Sequence, residues 1–250
     1  MFITGSNKNY IRAKKLLDKK YRFESGLYLI EGEKLVSDAI RLGAEVETLF
    51  IDKKKEERFS RLSETIPTVY EMEERFISSL CETVTPQGII AVCRRSVGEI
   101  SEPRGRALIL ENLQDPGNVG AILRTAMGFG YNDVYLVGSA DPFSMKSLRS
   151  GMTAQFVLRL VECSFDEAFG ANGESLLVCA DMNGENVRSI RNIPLKHTIV
   201  LGNEGNGVSV EAKKLCGKTV AIPMENGLES FNVAVSAGVL MYALGGICGE

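Results

Sequence analysis

Three short stretches set glycine beside side chains able to bind or orient a reactant. The first, Glu111-Asn112-Leu113-Gln114-Asp115-Pro116-Gly117-Asn118-Val119-Gly120, runs into Ala121-Ile122-Leu123-Arg124. Pro116 and Gly117 predict a turn, and Asn118 is placed to cap a helix beginning at Val119. A helix start offers unpaired N–H groups and a partial positive charge, which suits a phosphate; Arg124 follows on the second turn. In the second, Gly202-Asn203-Glu204-Gly205-Asn206-Gly207, three glycines permit positive φ angles and close approach of backbone to a ligand. It matches neither G-x-G-x-x-G nor G-K-[ST]. Its carboxylate would repel a phosphate, so Glu204 is expected to fix an arginine or a loop amide instead. The third runs from Pro223 through Ser230-Phe231-Asn232 into a helix of small residues. Ser230 reads as its N-cap, which leaves Asn232 unexplained. Taken singly, each stretch has an ordinary explanation as a capped helix with a surface arginine, a tight turn or a helix start.

The elements around these loops decide whether they can act together. Residues 107–110, 134–137, 175–180, 198–201 and 219–222 are short apolar runs that read as strands, with a helix over 119–129 and helical segments between the later strands. Such alternation predicts an α/β domain with a mainly parallel sheet covered on both faces. Ligands then sit in loops beyond the carboxyl ends of the strands, and all three stretches follow strands. Residues 96–105, polar and holding a proline and two glycines, read as a linker. Before it, helices at 10–20, 33–42 and 54–64 and strands at 27–31, 46–51 and 88–93 predict a smaller α/β domain. The expected division is therefore 1–95, the linker 96–105, and 106–250.

The 250 residues carry a net charge of -3, and their 44% hydrophobic and 24% charged content is that of a globular chain. The charge is uneven. Lys8, Arg12, Lys14, Lys15, Lys19, Lys20 and Arg22 crowd the N-terminal region against Asp18, a patch able to attract phosphate locally or simply to be a solvated helix face. Six dispersed cysteines without a C-x-x-C pair show neither a zinc module nor a disulfide framework, and a reducing cytoplasm is expected. His197 is the only histidine, which argues against His-based triads and multi-histidine metal centres; it is expected to be structural. No signal-peptide core precedes the early lysines. The uncharged stretch 232–248 is read as a buried small-residue helix, not a membrane span.

Together the three stretches resemble the signature motifs of the SpoU (TrmH-type) RNA 2′-O-ribose methyltransferases of the SPOUT superfamily. The matching text is ENLQDPGNVGAILRTAMGFG, IVLGNEGNGVS and IPMENGLESFNVAVSAGVLMYAL, in the family's order and spacing. LYLIEGEKLVSDAIRLG and VTPQGIIAV are similar to that family's N-terminal substrate-binding domain. The resemblance implies a C-terminal trefoil-knotted domain, a homodimer through it, and S-adenosylmethionine as cofactor. It implies cofactor contacts at Leu201, Gly202, Ile222 and Phe231, and catalytic roles for Arg124, Asn118, Glu204, Ser230 and Asn232. Ser230 and Asn232 would lie around the target nucleotide, while Asn118 and Glu204 would organise the loops and hold Arg124. Phe231 and Thr153 depart from the leucine and alanine usual in the family, a change of packing only.

The expected reaction is methylation of a ribose 2′-hydroxyl in RNA, with ribosomal RNA placed ahead of transfer RNA. Arg124, with a pKa above 12, makes an awkward base. It is better suited to bind the phosphate next to the ribose and lower the hydroxyl's pKa. No metal and no membrane are expected. The rivals are a non-catalytic RNA-binding protein of this fold, which would have no use for Arg124, Glu204, Ser230 and Asn232 together, and a nucleotide-dependent oxidoreductase, which the missing glycine fingerprint disfavours.

Overall fold

A computed structural model describes residues 1–245; Gly246 and Cys248, at the end of the stretch read as a buried helix, lie outside the described residues. The chain divides into two compact units: residues 1–96 with 143–148, and residues 97–142 with 149–250.

The first unit has four strands, β1 (Leu27–Glu31), β2 (Val46–Asp52), β3 (Val69–Met72) and β4 (Ile89–Arg94), in the order β1-β4-β2-β3. β4 runs antiparallel to both β1 and β2, and β3 is a parallel edge strand. Five helices, α1 (Lys8–Lys15), α2 (Lys19–Ser25), α3 (Glu33–Arg41), α4 (Glu56–Ser63) and α5 (Glu74–Ser78), surround it. One core joins Leu27, Leu29, Phe50 and Ile90 from the sheet to Tyr10 and Ala13 of the first helix and Leu16 just after it.

The single helix expected over residues 10–20 is two helices. Asp18 accepts from the Lys20 amide at 2.7 Å and starts α2 afresh. The buried Arg22 donates to the carbonyls of Leu16 and Leu17 at 2.9 and 3.0 Å, satisfying groups that a continuous helix would have paired. Arg22 therefore leaves the surface patch and becomes part of the core.

The second unit is a six-stranded, wholly parallel sheet: β5 (Ala107–Glu111), β6 (Asp133–Val137), β7 (Arg159–Cys163), β8 (Leu176–Asn186), β9 (His197–Leu201) and β10 (Lys218–Ala221), ordered β10-β8-β9-β5-β6-β7. Helices α6 (Pro116–Phe129), α7 (Met145–Gly151), α8 (Phe165–Ala171), α9 (Val210–Leu215) and α10 (Val233–Gly245) alternate with the strands, α7 beginning inside the first unit. Ala107 and Ile109 enter a core with Phe169 and Ala212, while the alternate residues Leu108 and Leu110 turn to the other face and are equally buried. α6 and α10 lie together, with Gly238 positioned so that a Cβ there would sit 3.6 Å from the Thr125 methyl. Among the described residues no helix is long and apolar enough to cross a membrane.

At the buried start of β6, Asp133 accepts from the Arg104 amide and guanidinium and from Arg159 Nε at 2.6 Å. Burial alone would raise its pKa, but these bonds hold it below the ordinary aspartate value. Arg159 also donates to the carbonyls of Glu99 and Glu102, which fastens residues 99–104 to the sheet.

His197 is buried, with Nδ1 2.7 Å from the Pro194 carbonyl and Nε2 2.7 Å from the Tyr131 hydroxyl. A carbonyl only accepts, so Nδ1 carries the proton and Nε2 receives the phenol's. Burial pushes the ring's pKa below 6.5, against the Pro194 bond and with help from Arg106. The unfolded ring takes a proton near pH 6.5, where the folded ring stays neutral. This contribution is thus complete above about pH 6.5 and declines as pH falls toward the folded value. Melting temperatures between pH 7.5 and 5.5 should fall more steeply for the wild type than for His197→Gln; parallel curves would contradict this.

Candidate active site

Each of the three glycine-bearing loops leaves the carboxyl end of a parallel strand, and hydrogen bonds draw them together. α6 begins at Pro116, three residues earlier than expected, because Asp115 accepts from the Gly117 amide at 2.8 Å and proline occupies the first helical position. Asn118 is therefore inside the helix and not its cap. Its Nδ2 donates to Glu204 Oε1 at 3.1 Å, and its Oδ1 accepts from Asn232 Nδ2 at 3.0 Å. Asn232, not Ser230, caps α10, its Oδ1 accepting from the Ala234 amide at 2.9 Å. One asparagine thus starts the apolar helix and ties it to the first loop.

Glu204 is the hub of the arrangement. Besides Asn118, its carboxylate accepts from the amides of Gln114 at 3.2 Å and Asp115 at 3.3 Å. Desolvation would raise its pKa, but these three donors and a bond from its own amide outweigh that and keep it below the usual glutamate value. The expectation that Glu204 would fix a loop amide is met in this geometry. The expectation that it would hold Arg124 is not: Arg124 is exposed on α6 and makes no hydrogen bond or ion pair among the described residues. Nor is the start of α6 open to a phosphate, since Asp115 and Glu204 already occupy it as anions.

Glycine is required where the second loop folds on itself. A Cβ on Gly202 would stand 2.1 Å from the Gly207 backbone, and Gly207 has φ +68°. Asn203 Nδ2 donates to the Asn112 carbonyl at 2.9 Å, and Ser209 N donates to the buried Glu111 at 2.9 Å, two further ties to the first loop.

An open cleft of about 490 Å³ lies between the second and third loops, within the roughly 300–1,000 Å³ of small-molecule sites. Leu201, Gly202, Ile222 and Phe231 all line it, as do Glu204 and Ser230. Ser230 is exposed and without a hydrogen bond among the described residues. Asn118, Asn232 and Arg124 are not part of its wall. Thr153, the other departure in packing, sets its hydroxyl 4.0 Å from Met127 Sδ.

A further wall escaped the sequence reading. Thr219 pairs with Cys179, but Val220 pairs with Glu185, so residues 180–184 arch out of the ladder and 180–183 line the cleft. The arch brings Asp181 into an ion pair with Lys213, whose ammonium, with the Asn183 amide, lowers the aspartate pKa. Nothing in the local residue pattern signals this, because the jump in register depends on β10. Among the described residues no group of three or more His, Cys, Asp or Glu is placed to hold a metal ion.

Residues 105–242 match the family model for the SpoU rRNA methylase family, more than half of the chain. The chain belongs to the SpoU rRNA methylase family. Residues 8–91 also match an MRM3-like substrate binding domain. Within the SpoU family, the chain is 34% identical over 237 residues to the 23S rRNA (guanosine(2553)-2′-O)-methyltransferase RlmP of Bacillus subtilis, covering 93% of this chain and 94% of that one. The mitochondrial rRNA methyltransferase 3 of Homo sapiens is 26% identical, over 90% of this chain and 68% of its own. The fold is similar to the AdoMet-bound rRNA methyltransferase from Sinorhizobium meliloti, with a TM-score of 0.87 at 25% identity over 98% and 97% of the two chains. The AdoMet complex of the SpoU methyltransferase AviRb from Streptomyces viridochromogenes gives the same score and identity over 96% and 97%.

Glu204→Ala would leave two amides and the Asn118 side chain without their acceptor. Hydrogen exchange at Gln114 and Asp115 should rise about tenfold or more, since a bond to a charged group contributes about 1.5–3 kcal/mol. Glu204→Gln should recover part of the protection, and unchanged exchange in the alanine variant would refute the hub.

Proposed function

We propose that this SpoU-family protein methylates a ribose 2′-hydroxyl of ribosomal RNA with S-adenosylmethionine. One observation carries the reading: the four residues expected at the cofactor, from two separate segments of sequence, line a single cleft beyond the carboxyl ends of parallel strands. The cleft's mixed lining suits a molecule with an aromatic base at one end and an amino acid at the other. Leu201, Gly202 and Ile222 would hold it mainly through backbone, and the Phe231 ring would cover it.

When bound, S-adenosylmethionine would supply an electrophilic sulfonium methyl for the ribose oxygen, the C–S bond breaking to leave a neutral thioether as the hydroxyl gives up its proton. The protein's task is alignment, which is able to supply about 7–11 kcal/mol of the barrier. Ser230 and Asn232 stand on either side of Phe231, in reach of a ribose brought to the cleft mouth. The Asn118–Asn232 and Asn118–Glu204 bonds keep that edge rigid. Arg124 has its guanidinium free in solvent to take the neighbouring phosphate and so lower the hydroxyl's pKa. A permanent cation at this position is an electrostatic partner, not a base.

We further propose that the C-terminal chain is knotted and that two copies pair through it. The support for pairing is an uncharged α10 whose Val235, Val239 and Tyr242, four and three residues apart, are 50%, 37% and 59% exposed. We place the enzyme in the cytoplasm, where its five described free thiols stay reduced.

Protein-free ribosomal RNA incubated with radiolabelled S-adenosylmethionine should gain label, mapped to a ribose 2′-oxygen; absence of both label and cofactor binding would end the proposal. Arg124→Ala should lose turnover by at least a hundredfold with cofactor affinity within twofold of wild type, the loss of a transition-state electrostatic contact. Near-normal turnover would remove Arg124 from the reaction. Val239→Arg should shift the sedimenting species from dimer to monomer, and an unaltered dimer would place the interface elsewhere.

A further inference from the structure

The α1–α2 segment carries aromatic rings interleaved with cations. Phe23 on α2 remains 46% exposed although the Arg95 guanidinium lies 4.1 Å from its ring centroid and Lys19 Nζ 5.6 Å from it. Lys15 Nζ sits 5.5 Å from the Tyr21 ring. The nearby carboxylates are engaged: Asp18 caps α2, Glu24 lies 3.8 Å from Lys20, and Glu47 pairs with Arg12 and Arg94. Lys14, Lys15 and Lys19 are exposed and have no carboxylate partner among the described residues. An exposed ring beside lysines that no carboxylate neutralises is the combination that binds single-stranded RNA, with bases stacking on the ring and phosphates on the lysines.

We propose that Phe23, backed by Arg95 and Lys19, is a stacking platform for an unpaired RNA base, with Lys14 and Lys15 holding the adjoining phosphates. The platform rests on the reading that this protein acts on RNA, and it names where the first unit grips that substrate. A guanidinium over the ring holds its orientation, and the part of Phe23 left exposed is what a base meets. Arg22, drawn into the core, contributes none of this charge.

The test measures binding of protein-free large-subunit ribosomal RNA and of a short fluorescent single-stranded RNA over a series of salt concentrations. Phe23→Ala should weaken binding about tenfold to a hundredfold, with an unaltered salt slope and melting temperature, because stacking on an exposed ring is lost and no ion contact is. Phe23→Trp should restore affinity and Phe23→Leu should not. The double change Lys14→Ala, Lys15→Ala should reduce the salt slope by roughly 1.4, about 0.7 for each phosphate contact on a single strand. Wild-type affinity in folded Phe23→Ala overturns the platform alone. So does a leucine variant as good as the tryptophan one, the mark of an apolar contact to another protein. A wild-type chain that binds neither RNA overturns the function proposed above as well.

Discussion

The carboxylate of Glu204 joins parts of the chain that have no other reason to meet. A negative charge at the start of α6 is favoured by the unpaired amides there. Here the charge comes from the loop after β9, not from a bound anion. Its donors, Gln114, Asp115 and Asn118, belong to the loop after β5 and the first turn of α6. Through Asn118 the network continues to Asn232, which starts α10. Because its folded-state pKa lies below the ordinary glutamate value, Glu204 is ionised at neutral pH and the network keeps its charged acceptor there. Ordering costs of about 1–2 kcal/mol per residue would otherwise oppose a fixed arrangement of such polar, glycine-bearing loops.

With the loops fixed, the shape of the cleft follows from the sheet. Parallel strands all end on one side, so their loops share one edge. The Gly202–Gly207 approach pulls the second loop tight against its own strand and leaves room above Leu201. The register jump between β8 and β10 supplies the opposite wall from residues that would otherwise have lain flat in the ladder. Gly184, where a Cβ would meet the Val220 backbone at 2.6 Å, allows the strand to re-enter the ladder after the arch.

The parts legible in advance were those governed by local patterns. β5, β6 and β9 are buried along their whole length and announce themselves as apolar runs. β7 was missed because Arg159 and Glu162 interrupt its apolar pattern, and β3 because it is a four-residue edge strand. The three loops were visible through glycine and polar residues, but the bonds joining them span 86 residues from Asn118 to Glu204 and 114 from Asn118 to Asn232. No local rule pairs residues so far apart. The caps at Asp115 and Asn232 went to neighbours of the residues expected because proline at the first helical position moved one helix start, and Ser230 was left on the cleft wall.

An acidic chain that handles a polyanion has to separate its charges. The net charge of -3 is an average, and at physiological salt a charge is felt over about 8 Å. What a phosphate meets is therefore the local account. In the second unit Glu204, Asp181 and Asp133 are each bound by donors of the protein itself, which weakens their repulsion of an incoming strand. Arg124 is left without such a partner, and so are Lys14, Lys15 and Lys19 in the first unit. Carboxylates spent on holding loops and cations left for solvent are two sides of one arrangement. An arginine salt-bridged to Glu204 would have lost both its freedom to reach a phosphate and the acceptor that keeps the three loops together.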